Sequence, residues 1–445
     1  MKSELRAGRR LLLAAVAVGV LLNPLNSAMI AVAVADIQRV FAVSFRSASL
    51  LISVFYVASA VGQPVMGRLA DRFGRRRLFL AGLVLSAVAS GLAAIAPSFG
   101  ALLGFRALQA VGTSALFPAG LGIVRAEVRE RQAAALGVLT VSASISAAVG
   151  PTVGGLLVSG VGSAAVFWIN VPLAVLGLVL ALLALPRDRG REDVRTGGLD
   201  LPGVALFVVA LAGLLWFALS LPTGAAWWSL PVGLVAGAAF VRRELTTPVP
   251  IVDVHGVVTN RALLDVYAQF LLVSAIFYSV FFGVPSYLEH ARGLSAAAAG
   301  LMMLPVAGLG VVMTPLAARL TSRRGPKPAI VIGAAALGAG AAGLLTVGAH
   351  ESLVLTGVVL AVFGSAGGFN NLGLQAALYA AVDQRDTSAA AGLFQTCRYL
   401  GAIAATSLLG IAFAHGIGTS ELHVVGVVLV VLAAAALVMA LRRTG

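Results

Sequence analysis

Apolar residues in this chain come in runs of about twenty, one after another, with short charged stretches between them. A helix needs roughly 20 apolar residues to cross the hydrocarbon core of a bilayer, and such runs recur along the whole sequence. Of the 445 residues, 60% are hydrophobic and 11% are charged, against about 45–50% and about 25% in soluble domains. A water-soluble fold cannot bury that much apolar surface, so the chain is read as an all-α integral membrane protein. Fourteen transmembrane helices are expected, near 11–35, 46–68, 78–96, 99–122, 134–158, 162–185, 201–220, 225–241, 265–288, 296–318, 328–348, 352–380, 388–414 and 421–441. They leave little chain for a soluble domain. Lys2, Arg6, Arg9 and Arg10 ahead of apolar residues 11–22 have the pattern of a signal peptide. Apolar sequence resumes after Asn23-Pro24 and runs to Ala35, which favours an uncleaved first helix.

The net charge is +14, from 31 Lys and Arg against 17 Asp and Glu. In a soluble protein that excess would suggest nucleic acid; here its placement decides. With a cytoplasmic N-terminus, 26 of the 31 basic residues fall on cytoplasmic segments, among them Arg68 to Arg77, Arg187 to Arg195 and Arg319 to Lys327. Only Arg39, Arg46 and Arg292 lie outside, and Arg106 and Arg398 lie within spans. Cytoplasmic loops of membrane proteins collect Lys and Arg. The excess is therefore a topological signal, with both termini expected inside the plasma (inner) membrane and no nucleic-acid partner. The single cysteine, Cys397, excludes an internal disulfide or a cysteine-based cluster. The five His show no metal-ligand spacing, so neither a metal nor a cofactor is expected. A membrane enzyme would need clustered ligands, a Ser-Lys or Ser-His pair, or paired aspartates in a span, and none is present. There is no Walker loop, so ATP is not the expected energy source.

The second and third spans are joined by Gly67-Arg-Leu-Ala-Asp71-Arg72-Phe-Gly74-Arg75-Arg-Arg77. A weaker echo, Ala318-Arg319-Leu-Thr-Ser-Arg323-Arg324-Gly325-Pro-Lys327, joins the tenth and eleventh. The two loops occupy the same place in two six-helix bundles, 1–190 and 263–445, if residues 191–262 hold an inserted helix pair. Duplicated bundles are a transporter architecture with the substrate site between the halves.

The 67–77 loop resembles the loop motif of the major facilitator superfamily. Arg106-Ala-Leu-Gln109-Ala-Val-Gly112 is similar to that family's fourth-helix motif. Gly150-Pro151-Thr-Val-Gly154-Gly155, with Gly137 upstream, resembles its antiporter motif. Phe167-Trp168-Ile169-Asn170-Val171-Pro172, Glu244 with Pro248-Val-Pro250, and Gln395-Thr-Cys-Arg398-Tyr-Leu-Gly401 resemble segments of the fourteen-span drug:proton antiporter branch. The resemblance covers nearly the whole chain. It implies a major facilitator-like fold and secondary active transport, with protons as coupling ion, an amphipathic small-molecule substrate, and a monomer working in the lipid bilayer. One departure bears on coupling. Where the branch usually carries an acid in the first span, this chain reads Leu25-Asn26-Ser, and Asn26 cannot titrate. A lesser one is Ser146, where a Gly is common.

Physical reading of the residues gives these motifs work to do. Gly67 allows close helix approach and Gly74 a tight turn. Asp71 can accept hydrogen bonds at a helix N-terminus. Arg72 and Arg75 can pair with acids in one transport state and release them in the other. Pro151 bends the fifth span, and Gly150 with Gly154 permits tight packing. An ionised Arg inside the membrane costs at least about 2.5–3.5 kcal/mol and usually faces the bundle interior, which marks Arg106 and Arg398. Arg106, Gln109 and Thr113 share one helix face, as do Gln395 and Arg398. No acid lies at mid-depth, so Asp36, Asp265 or Glu289 titrates, or the substrate itself carries the charge those arginines meet. Asn370, Asn371 and Gln375 fit a cavity, and fit interhelical bonding equally well. Phe277, Tyr278, Phe281 and Phe282 form an aromatic group. Export of amphipathic compounds is the leading expectation. The alternatives are a carrier for an endogenous organic metabolite and an uncoupled facilitator.

Overall fold

The computed structural model describes residues 2–128, 132–188, 200–220, 226–247, 259–348, 351–382 and 387–443, and among them every regular element is helical. Helix α1 (Lys2–Met29) passes through a 3-10 turn (Ile30–Val32) into α2 (Val34–Phe41). Next come α3 (Phe45–Phe73), α4 (Arg75–Ala94), α5 (Phe99–Ser114), α6 (Leu116–Glu127), α7 (Gln132–Val161), α8 (Ala164–Trp168) and α9 (Asn170–Ala184). Then follow α10 (Leu201–Ser220) and α11 (Ser229–Thr246). The rest are α12 (Arg261–His290), α13 (Ala296–Leu301), α14 (Leu304–Arg324), α15 (Pro326–Leu344), α16 (Leu353–Ala380), α17 (Thr387–Ala412) and α18 (Thr419–Arg442).

Among the described residues, ten helical stretches are long and apolar enough to cross a membrane. The other four expected spans are helical too, as α7, α10, α11 and α17, but over the described residues they do not reach that length and hydropathy. Large apolar side chains remain exposed along the outer surface, among them Leu183, Val235, Val312, Val354 and Val431. In water such a surface would aggregate; in a bilayer it is the solvated face.

Local chemistry sets the helix ends. Ser44, Ser98, Asn260, Ser295 and Ser352 each accept a hydrogen bond from a backbone N–H in the first turn of the helix that follows, filling one of the orphan donors there. At Gly74 (φ 103°) and Gly325 (φ 78°) one helix stops and the next begins at once. L side chains rarely adopt such φ values, so glycine makes these two sharp turns possible. They sit in the two related basic loops.

The helices sort into two groups by contact. α1 packs on α7 and α9, α4 on α5 and α9, and α3 on α5. In the second group α14 and α15 pack on α16, α18 packs on α15, and α17 packs on α12. α10 and α11 pack on each other, and α10 touches both α3 and α17 from the side. Arg243 Nε clasps both oxygens of the buried Asp200 at 2.7 and 2.9 Å, tying the start of α10 to the end of α11. The two large groups meet along a seam of α3 against α17 and of α7 against α13 and α14.

Candidate functional site

The seam is zipped from one end. α3 and α17 run antiparallel. Phe45 meets Phe413 edge-on at 5.4 Å, Ser53 and Thr406 share a hydrogen bond of 2.7 Å, and the Tyr56 and Tyr399 rings lie 5.5 Å apart. Gln63 Nε2 then donates to the Tyr399 hydroxyl at 2.5 Å. The hinge motif closes the same end on the other side. Thr152 donates to the Gly300 carbonyl at 3.1 Å, and Ala297 N–H donates to Ser159 Oγ at 3.0 Å. A methyl on Gly155 would collide with the Ala296 carbonyl oxygen, and one on Gly300 with the Pro151 carbonyl oxygen. Gly150 and Gly154 meet α1 as tightly, at Ala28 and Met29. Ser146, where glycine is common in the resembling family, donates to the Leu21 carbonyl at 2.8 Å and so also holds α7 to α1.

Within the N-terminal group lies a buried cation. Arg106 is fully buried on α5. Its Nη1 donates to Asn26 Oδ1 and to Gln109 Oε1 (2.7 Å), its Nη2 to the Asn26 carbonyl (3.3 Å), and its Nε to the Leu51 carbonyl (3.4 Å). The guanidinium carbon stands 4.2 Å from the centre of the Phe55 ring, a cation–π contact strengthened by desolvation. Gln109 passes its own donor to Ser90 Oγ (2.6 Å), and Asn23 donates to Thr113 Oγ1 (3.0 Å). Three spanning segments thus meet at one guanidinium, and a fourth, α4, is reached through Gln109. Among the described residues, neutral acceptors alone hold the guanidinium. Asn26 Nδ2 has no partner among the described residues.

Beside this core the seam is aromatic. Tyr56 adjoins Tyr278 (5.4 Å), Phe282 (6.2 Å) and Tyr399, while Phe277 stacks on Phe281. Tyr56 is fully buried and Tyr278 half-buried. Arg398, half-buried on α17, lies 5.9 Å from the Phe270 ring centre. Gln395 is half-buried one turn earlier. On α16, Gly367 faces Phe277. Asn371 and Gln375 continue that face at i+4 and i+8 and are half-buried. Asn370 turns elsewhere, onto Gly333 of α15, fully buried, with neither amide atom partnered among the described residues.

The remaining expected residues lie away from the seam centre. Gly67 faces Pro118 with room for a methyl. Asp71 and Arg72 end α3, and their side chains lie outside the described residues. Arg75 Nη1 donates to the Gly122 carbonyl at 2.8 Å. Asp188 occupies the anion position at the N-terminus of α4, accepting from Arg76 N–H (3.0 Å) and Arg77 N–H (3.1 Å). Asp36 accepts from Arg39 (2.9 Å) and from Ser163 N–H (2.8 Å), which fastens α2 to the start of α8. Glu289 feels both Asp36 and Arg39. Asp265 is exposed at the basic end and interacts with Arg443.

Sequence reading missed Asp188, Tyr56, Tyr399 and the Ser53–Thr406 pair. The last three join residues more than 300 apart, and nothing local announces them. Asp188 had one usable signal, an acid just after the sixth span, where a cap for another helix can sit.

A bundle of apolar helices with a polar and aromatic site at the seam between two groups has the build of a multi-pass membrane transporter. Residues 16–406 match the sequence profile of the Major Facilitator Superfamily, and the chain belongs to that family. It is 41% identical over 440 residues to the uncharacterized MFS-type transporter YwoD of Bacillus subtilis, covering 98% of this chain and 97% of the relative. It is 30% identical to the tetracenomycin C resistance and export protein of Streptomyces glaucescens (91% and 76% covered). It is 29% identical to the multidrug efflux pump LfrA of Mycolicibacterium smegmatis (90% and 80%). Among solved structures, the nucleoside transporter NupG superposes with a TM-score of 0.68 at 15% identity over 96% of this chain and 99% of that one. A bacterial homolog of the human lysosomal transporter Spinster, in an inward-facing and occupied conformation, gives 0.68 at 14% over 97% and 96%. These two likenesses establish the fold.

Proposed function

We propose that this transporter is a fourteen-span member of the drug:proton antiporter branch that exports amphipathic small molecules by alternating access. In this reading α7, α10, α11 and α17 cross the membrane with the ten longer stretches. Residues 1–190 and 263–445 are the rocking bundles, 191–262 is a peripheral insert, and both termini face the cytoplasm across the plasma membrane. The observation that carries it is a seam whose side-chain contacts, among the described residues, gather toward one end. The direct contacts between the two groups run from Phe45–Phe413 down to Gln63–Tyr399 and include the α7–α13 hinge. By the distribution of basic residues this is the outer end, so the conformation is closed to the outside.

The relatives named for resistance and export support the direction of transport. The carbonyl contacts at Gly155 and Gly300 support a hinge that shuts by backbone apposition and restricts leak. Asn26, standing on Arg106 where the branch has an acid, favours a second reading in which transport is uncoupled from protons. The test is dye movement in proteoliposomes made with the purified protein, with and without an imposed pH gradient. Extrusion that rises with the gradient supports antiport. Extrusion indifferent to it leaves a facilitator, and failure to move a panel of amphipathic dyes removes the export reading.

A further inference from the structure

Two positive charges serve one aromatic site, and among the described residues no acid pairs with either. The Arg106 guanidinium stands 4.2 Å from the Phe55 ring centre, Phe55 packs edge-on against Tyr56 at 5.8 Å, and Arg398 is the chain neighbour of Tyr399, whose ring lies 5.5 Å from that of Tyr56. The acids of the described residues nearest in depth are spoken for at the ends. Asp36 is held by Arg39 and Ser163 N–H, Glu289 lies with that pair, and Asp265 interacts with Arg443 at the other end. Arg106 is a donor-only group held by neutral acceptors, so its charge is screened in orientation and not cancelled. Because Asn26 must present its oxygen to that donor, its amide nitrogen points away. That nitrogen is a buried donor without a partner among the described residues. A guanidinium with full charge, a spare N–H donor and an aromatic wall together match a flat or bulky aromatic anion. A lipophilic cation would enter the same low-dielectric space against like charge.

We propose that the seam site selects aromatic anions over aromatic cations, and that Asn26 sets this selectivity by leaving the charge of Arg106 uncompensated. The proposal rests on the export reading for where substrate binds. Its test reads binding alone, so the two can fail separately. Tetraphenylborate and tetraphenylphosphonium have nearly the same shape and opposite charge. Each is titrated calorimetrically into the purified full-length chain and into its Asn26→Asp variant, with protein-free detergent as the blank. That variant exchanges an amide for a carboxylate of equal size, so a change in fold is not the expected outcome; thermal unfolding checks it. An Asn26→Ser variant supplies a second neutral residue at the position.

The wild type is expected to bind the borate at least tenfold more tightly than the phosphonium. Asn26→Asp should shrink that ratio at least tenfold, and Asn26→Ser should keep it above one. Equal or tighter binding of the phosphonium by the wild type overturns the proposal. So does a ratio unmoved in Asn26→Asp, and so does failure of both probes to bind. Anion-selective binding without dye extrusion would keep the site and discard the export reading.

Discussion

The N-terminal helices bury a charge, surround it with acceptors and leave the Asn26 amide donor beside it unmet among the described residues; the C-terminal helices bury amides and leave part of them unmet. Arg106 finds four oxygens drawn from α1, α3 and α5. In the second group Gln269 donates to the Ala436 carbonyl (3.1 Å) but its Oε1 is unpartnered among the described residues, as are both amide atoms of Asn370. The aromatic residues are divided the other way, with Phe277, Tyr278, Phe281 and Phe282 all on α12. Two groups that share related loops have thus divided the labour. One holds an electrostatic centre, and the other presents an apolar wall to it across the seam. A charge in low dielectric is worth its cost only when held in one geometry, which requires the denser network. A wall of rings tolerates looser polar packing behind it.

The largest effect should come from preventing the two groups from parting. In a Cys397→Ser background, Ser53→Cys with Thr406→Cys puts thiols where hydroxyls stand 2.7 Å apart, a pair to be cross-linked by oxidation. Transport in proteoliposomes should fall more than tenfold under oxidation and return on reduction. Unchanged transport in the cross-linked protein would mean that this end of the seam never opens.

Next is the buried charge itself. Arg106→Met removes a cation costing about 2.5–3.5 kcal/mol to place in a membrane, but strands Asn26 and Gln109 acceptors at about 1–3 kcal/mol each. The two nearly offset, so melting temperature should move by only a few degrees while transport drops at least tenfold. The matching change in the second group, Gln269→Met, should leave transport within about twofold. Equal losses in both would dissolve the contrast between an electrostatic centre and a structural amide.

How far these contrasts were readable beforehand depends on their range in sequence. Runs of apolar residues placed the helices, because crossing a bilayer demands length and hydropathy that nothing else in the chain can imitate. Arg106 stood out because an arginine in a span is costly wherever it points. Its partners were less legible. Asn26 could be singled out as a missing acid, but that its oxygen meets Arg106 eighty positions away is a fact of packing. The polar residues of α16 show the same limit. Asn370, Asn371 and Gln375 look alike in sequence, yet one residue of helical phase turns Asn370 onto Gly333 and leaves the other two on the face of Gly367.

The paired turns offer a smaller, graded test. Gly74→Ala and Gly325→Ala both force an L side chain into positive φ, at about 1–3 kcal/mol of strain. At Gly325 the new methyl meets open space, whereas at Gly74 it would strike the Asp188 carboxylate that caps α4. Gly74→Ala should therefore lower thermal stability more, and Asp188→Asn, which weakens the cap without touching the turn, should lower it by about 1 kcal/mol. Equal losses at the two glycines would show that the cap contributes nothing beyond the turn.

The smallest effect should carry the opposite sign. Asn370 is fully buried against Gly333 with an amide that meets no partner among the described residues, and an unmet buried polar group costs about 1–3 kcal/mol. Leucine has a similar branched shape and no polar atoms. Asn370→Leu should raise the melting temperature by a degree or more, since even large domains shift about 2–4 °C per kcal/mol, and leave dye transport unaltered. A fall in transport with stability intact would place Asn370 on the substrate path. The C-terminal group would then hold a polar centre of its own, and the division between the two groups would be one of charge alone.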